Sequence, residues 1–227
     1  MAVMEGEALW SPGPEYVERS QIARFMQWLR QRRGLDVTDY ESLHRWSVSD
    51  IEAFWAALWD YFEIQSDSPP TRVLEASGMF GAQWFAGTRV NYAEHLLRYE
   101  ARAAEGETAI HHLTENRPLA RMSWQELGRQ VRILATRLRA LGIAPGDRIV
   151  SYMPNVPETT VAMLASMAVG AVWSSAAPEF GTRTVVDRLV QIEPKLIFVC
   201  DGYRFGGKDY ERTDEVRQIV ASLPTLR

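Results

Sequence analysis

Residues 153–181 read MPNVPETTVAMLASMAVGAVWSSAAPEFG, and this stretch decides the fold. Asn155 and Pro157 mark a helix start, since proline in the first helical position forfeits no hydrogen bond and already has a helical φ. From Pro157 to Val169 apolar residues recur at helical spacing, Gly170 stops the helix, and Ala171-Val172-Trp173 begins a short apolar strand. Loop, helix, buried strand and loop together make half of an α/β unit.

The same alternation continues on both sides. Arg148–Tyr152 reads as a strand, preceded by the turn Pro145-Gly146-Asp147 and by a helix running from the capping-box pair Ser123 and Glu126 to about Leu141. Ala109–Leu113 and Leu119–Met122 read as short strands flanking the turn Glu115-Asn116-Arg117-Pro118. Beyond the opening stretch come a helix over Thr182–Ile192, a strand over Leu196–Cys200 and a helix over Asp214–Leu223. Repeated β-α-β units with nearly continuous apolar strands imply an α/β fold: a doubly wound, mostly parallel open sheet covered on both faces. An open sheet has an edge and an apolar face, so homo-oligomer formation through that surface is an expectation.

Before Glu105-Gly106-Glu107 the texture is helical and aromatic, which divides the chain into an extension over 1–105 and the α/β region over 106–227. Ser20 caps a helix to about Arg33 that Gly34 closes. Asp39 starts a second over Tyr40–Arg45, and Ser49 with Glu52 has the capping-box spacing for a third. Residues 63–90, with Pro69-Pro70 and several glycines, read as an irregular connector, and Asn91 caps a short helix after it. Five of the eight tryptophans fall in the first sixty residues, so this region must pack its rings against a sizeable neighbour.

Composition narrows the function classes. At 46% hydrophobic and 24% charged, 227 residues suffice for a real core. The net charge of −4, with no long basic cluster, argues against nucleic acid. The N-terminus lacks the basic and apolar regions of a secretory signal, and no window approaches the ~18 apolar residues of a membrane span, so a cytoplasmic location away from membranes is expected. The single cysteine, Cys200, lies in the apolar run LIFVC and reads as a small hydrophobe rather than a nucleophile.

Chemical signatures are sparse. Phosphate-loop, dinucleotide, nucleophile-elbow and zinc-protease motifs are missing, and His44, His95, His111 and His112 have no metal spacing. On a strand His111 and His112 point to opposite faces. Glu179 and Asp187 read as separate solvated carboxylates. No catalytic or metal-ligating residue is assigned. Ser174-Ser175, placed after the strand, sits where open α/β sheets bind ligands, but the hydroxyls suit backbone hydrogen bonds equally. The loop DGYRFGGKDYER, 201–212, is the best binding candidate. Gly202, Gly206 and Gly207 allow close backbone approach, Arg204, Lys208 and Arg212 supply cations for a phosphate, and Tyr203 and Phe205 offer stacking surfaces.

Four stretches resemble one family. WSVSDIEAFW (46–55) and WFAGTRVNYAEHLL (84–97) are similar to the N-terminal region of acetyl- and acetoacetyl-CoA synthetases. SYMPNVPETTVAMLASMAVGAVWSSAAPEFG (151–181) and DRLVQIEPKLIFVCDGYRFGGK (187–208) resemble the α/β region that follows, and their wording favours the acetoacetyl branch. The resemblance implies an adenylate-forming ligase that joins acetoacetate to CoA through an acyl-adenylate, using ATP and Mg²⁺, with AMP and pyrophosphate as products. It also implies that this chain is an N-terminal portion, inactive alone and without tightly bound cofactor, because the family's phosphate loop, ribose-binding Asp and catalytic Lys have no counterpart here. YRFGGK resembles the family's CoA-binding loop, which places Arg204 against CoA with Gly206 beside it. Gly207 stands where the family has a second arginine, and Lys208 next to it is the candidate replacement. The rival readings are an acetyl- or propionyl-CoA synthetase portion and a noncatalytic binding domain of the same fold.

Overall fold

The structure of the chain, a computed structural model, describes residues 4–75 and 78–227. Residues 76–77 of the expected connector and the first three of the N-terminus lie outside the described residues. The backbone divides into two compact units, Met1–Arg89 and Val90–Arg227.

The first unit comprises helices α1 (Pro14–Arg19), α2 (Gln21–Arg33), α3 (Tyr40–Ser49) and α4 (Ile51–Tyr61) and a hairpin of β1 (Arg72–Glu75) and β2 (Gln83–Ala86). The Ser20 hydroxyl accepts from the Ala23 N–H at 3.2 Å, and Asp39 forms a reciprocal capping box with Ser42. The third start differs from expectation. Ser49 ends α3, its hydroxyl donating to the Trp46 carbonyl, while Asp50 caps α4 by accepting from the Ala53 N–H at 3.1 Å. A carboxylate at a helix N-terminus gains from the dipole as well as the hydrogen bond, so the neighbouring aspartate displaces the serine. Phe25, Leu29, Val37, Leu43 and Ala57 form the core of this unit, with Trp28, Trp46, Phe54 and Tyr61 packed on it. Edge-to-face contacts such as Phe25 on Tyr61 at 5.0 Å and Trp46 on Phe54 at 5.6 Å use part of the aromatic surplus, while Trp10 and Trp55 stay exposed. The connector is also more regular than expected, since β1 and β2 pair antiparallel with Leu74 opposite Trp84. Strands of four residues are too short for their alternation to stand out in sequence.

The second unit begins with α5 (Tyr92–Leu97), then the hairpin β3 (Thr108–Thr114) and β4 (Arg117–Ser123), then α6 (Trp124–Ala140). β5 (Arg148–Tyr152), α7 (Pro157–Ala168), β6 (Val172–Ala176), α8 (Thr182–Leu189) and β7 (Leu196–Val199) follow. A second hairpin, β8 (Gly202–Phe205) and β9 (Lys208–Glu211), and α9 (Thr213–Ala221) complete it. The parallel sheet has the order β6-β5-β7, so β5 is central and the chain crosses from one side of it to the other. Side chains alternate along β5. Ile149 enters the cluster of Leu127, Val131, Leu138, Val161 and Leu164 from α6 and α7. Val150 and Tyr152 enter the cluster of Val185, Leu189, Ile219 and Leu223 from α8 and α9. Both faces are therefore covered, which is the doubly wound arrangement read from the alternating elements. Each fully buried Leu, Ile or Val in these layers contributes about 1.5–3 kcal/mol.

Pro157 takes the first helical position of α7, as read, with Val156 as the N-cap residue. One local detail differs from the reading above. At the start of α6 the Ser123 hydroxyl accepts from the Glu126 N–H at 3.1 Å, but the Glu126 carboxylate turns to Arg129 and Gln130 instead of completing the box. A guanidinium is a stronger donor than the cap amide. It holds the Glu126 carboxyl down at about 2, with Gln130 adding to the effect.

Candidate nucleotide cleft

Ligands in open α/β folds bind beyond the carboxyl ends of the strands, beside the point where the chain reverses its direction of winding. Here that point lies after β5, and the loops leaving β5, β6 and β7 line a cleft of about 460 Å³. Met153, Pro154 and Val156 give it an apolar floor, and the β3–β4 turn and strand β8 form its sides, with Arg117 from β4 and Arg204 from β8.

The predicted loop 201–212 is instead the β8–β9 hairpin, with Tyr203 opposite Tyr210 and Arg204 opposite Asp209. Two four-residue strands with alternating charge and aromatic residues read as loop in sequence; the Gly206-Gly207 dipeptide, with φ of +60° and +74°, was the available hairpin signal. At the hairpin base Gly202 serves close approach: a Cβ there would lie 2.6 Å from the Tyr210 carbonyl oxygen.

The three candidate residues occupy different places. Arg204 lines the cleft and is lightly held, its guanidinium 3.3 Å from the Gly207 carbonyl and 3.5 Å from the Asp209 carboxylate. Exposed pairs of that length are worth about 0–1 kcal/mol, so the side chain can turn to a ligand cheaply. Gly206 sits at the tip, its N–H already donated to Glu115. Lys208 is exposed at the start of β9, outside the cleft lining, with no side-chain partner among the described residues.

Arg212, counted among the phosphate cations from sequence, is committed elsewhere. Its guanidinium lies over the rings of Tyr203 and Tyr210 and donates to the Pro178 carbonyl at 2.9 Å, Glu215 at 2.7 Å and the Tyr203 hydroxyl at 3.1 Å. It anchors the hairpin to the loop after β6. The same loop is gripped from the sheet by Tyr152, whose buried hydroxyl lies 2.7 Å from the Pro178 carbonyl and 2.9 Å from that of Phe180. Burial pushes that phenol's pKa up, keeping it the donor.

Ser174 and Ser175 are within β6, paired with Val150 and Ser151, rather than in a loop beyond it. Small hydroxylated residues close to the strand end concealed its true length. Cys200 lies in the cleft wall, and burial, with Asp201 adding, pushes its thiol pKa up, so it stays protonated. His111 is exposed and His112 half-buried on opposite faces of β3. Among the described residues no group of three or more His, Cys, Asp or Glu side chains could hold a metal ion, and no helix is long and apolar enough to cross a membrane.

Glu115, passed over in sequence as a turn residue, accepts from the Gly206 N–H at 2.7 Å and the Gly207 N–H at 2.8 Å. The Gly207 amide first, then that of Gly206, with Arg204 adding, hold its carboxyl below the usual range. Nearby, Arg117 donates to Glu158 in the first turn of α7 at 2.7 Å. Burial pushes the Glu158 carboxyl up, but its own N–H and Arg117 outweigh this and leave it lowered.

Comparison with known proteins agrees with this architecture. The solved acetoacetyl-CoA synthetase from Streptomyces lividans superposes with a TM-score of 0.91 at 44% identity, over 97% of this chain and 34% of that one. The acetoacetyl-coenzyme A synthetase of Rhizobium meliloti (strain 1021) is 42% identical over 96% of this chain and 33% of its own length. A malonamoyl-CoA synthetase of Penicillium aethiopicum is 34% identical over 97% of this chain and 31% of its own. The chain thus spans about a third of the length of the curated relatives it matches. The pattern described as the acetyl-coenzyme A synthetase N-terminus matches residues 40–96, and that of the AMP-binding enzymes matches residues 97–226. With more than half of its length so matched, and with the doubly wound sheet in place beneath the cleft, the chain belongs to the AMP-binding enzyme family.

Proposed function

We propose that this chain is the N-terminal part of an ATP-dependent acetoacetate–CoA ligase, and that its cleft receives the phosphate-bearing end of CoA. The observation that carries the reading is the agreement in backbone and sequence with the Streptomyces lividans acetoacetyl-CoA synthetase over nearly the whole chain. The Penicillium relative narrows the acid: acetoacetate and malonamate are both short carboxylates with a carbonyl on the β-carbon. That shared feature favours acetoacetate over acetate or propionate. The enzyme would work in the cytoplasm, in lipid metabolism.

In the overall reaction acetoacetate, ATP and CoA give acetoacetyl-CoA, AMP and pyrophosphate. A carboxylate is a poor acyl donor, and adenylation supplies the leaving group that the CoA thiol displaces. The described residues offer no cluster for Mg²⁺, so no step is assigned to a metal held by this chain. Its own residues bind. Arg204 reaches the ligand phosphates from the hairpin, Lys208 adds positive charge at the tip, and Gly206 keeps the turn free of side chain. The apolar floor of Met153, Pro154 and Val156 suits the uncharged parts of the ligand.

Arg204→Ala in the full-length enzyme is expected to raise the KM for CoA roughly 10- to 100-fold, the loss of a charge-assisted contact, while the KM values for ATP and acetoacetate stay put. Steady-state assays with each substrate varied in turn decide it. An unchanged KM for CoA sinks the CoA assignment, and a preference for acetate over acetoacetate sinks the choice of acid.

A further inference from the structure

We infer that Glu115 is a positioning residue: its carboxylate clasps the Gly206-Gly207 turn and so fixes the strand that carries Arg204 at the edge of the cleft, an inference that rests on the CoA reading of that cleft. The β8–β9 hairpin is a two-stranded sheet separate from the parallel sheet. Such a ribbon is marginal in water, so side chains outside it must set its position. Arg212 holds its base. Its tip is held by Glu115 alone among the hydrogen bonds described for the turn amides.

The geometry is bidentate. Both turn residues have positive φ, and their consecutive N–H groups donate to different oxygens of one carboxylate, Gly206 to Oε1 and Gly207 to Oε2. Successive amides in such a turn make a small positive concavity, and a carboxylate matches it with two acceptors where an amide side chain has one. Glu115 is itself fixed, because it occupies the two-residue turn between β3 and β4, and Arg117 two positions on is paired with Glu158 of α7. Contacts therefore run from α7 through Arg117 to the β3–β4 turn, and through Glu115 to the tip of β8–β9. Thr114, Asn116 and Arg117 line one side of the cleft and Gly202 to Phe205 another, so Glu115 spans the gap between the two arginine-bearing walls. Arg204 is two residues from the clasped amide, and its own side-chain contacts are too long to hold it.

The test compares wild-type full-length enzyme with Glu115→Gln, Glu115→Asp and Glu115→Ala, using CoA as the probe, with Arg204→Ala alongside. In ¹⁵N-glycine-labelled enzyme the Gly206 and Gly207 amide resonances, assigned by their loss in Gly206→Ala and Gly207→Ala, are expected to move upfield in Glu115→Gln and Glu115→Ala, which lose the carboxylate, and less in Glu115→Asp, which keeps it on a shorter arm. The KM for CoA is expected to rise about tenfold in Glu115→Gln and Glu115→Ala and less in the charge-retaining Glu115→Asp, with kcat at saturating CoA within about twofold of wild type. Amide resonances that stay in place overturn the clasp. Moved amides with an unchanged KM for CoA, where Arg204→Ala raises it, overturn the positioning role. A lower KM for CoA in Glu115→Ala also overturns it, because the carboxylate would then be competing with the ligand for the turn. If Arg204→Ala leaves CoA binding intact, the CoA reading fails separately, and the positioning role fails with it, while the resonances still report whether the clasp exists.

Discussion

Leu164→Ala is expected to destabilise the second unit by about 2–5 kcal/mol, the usual range for emptying a well-packed leucine site. Leu164 is 1% exposed and lies on α7 among Val131, Leu138 and Ile149, where helix and sheet meet. The site cannot collapse readily, because α7 is tied at its first turn by Glu158 to Arg117 and in its last turn by the 2.9 Å bond from the Asn91 side chain to the Met167 carbonyl. Urea unfolding followed by the second unit's near-ultraviolet signal measures the change. A loss below about 0.5 kcal/mol, the range of inert surface substitutions, would count against this packing.

Arg212→Ala should have the second-largest effect, about 1.5–3 kcal/mol for the hydrogen bonds of a charged group, felt as local opening of the β8–β9 hairpin before the unit unfolds. The substitution removes the donor to the Pro178 carbonyl and leaves Glu215 and the stacked Tyr203–Tyr210 pair without their cation. Arg212 is only 17% exposed in its side chain, so solvent replaces these contacts poorly. Trypsin cleavage after Arg204 and Lys208 should accelerate under native conditions. Arg212→Lys should fall between, because an ammonium keeps the charge but cannot reproduce a planar fork with several fixed donors. Cleavage as slow as in the unaltered chain would show that the hairpin base is held some other way.

The α/β framework was legible because its signals are local. Pro157 and Gly170 bracket α7 within a residue or two, and Arg148–Tyr152 is a strand at the bounds its apolar run suggests. Short strands were less legible: four residues of β8 with Tyr, Arg and Phe satisfy a loop composition as well as a strand, and only the pairing of Arg204 with Asp209 decides. Caps were readable as a class but not always as a residue, since Ser49 and Asp50 are adjacent and both competent. The site was half legible. Arg204 stood out through resemblance and lines the cleft, whereas Arg212 looked like its equal until its ring and carbonyl partners were seen. Glu115 could not be found by spacing, because its partners lie in a turn far along the chain.

The central position of β5 also governs when the cleft comes into being. Neither partner of β5 is joined to it by a tight turn: Arg148 pairs with Val172, and Ile149 with Leu196, roughly twice as far along the chain. Each doubling of the closed loop adds only about 0.6 kcal/mol of entropy, but both closures must precede the contacts that reward them, so this sheet assembles more slowly than the local helices of the first unit. On a ribosome β5 and β6 can pair while β7 is still inside the exit tunnel. The cleft, walled by the ends of all three strands, is absent from the nascent chain until β7 has emerged.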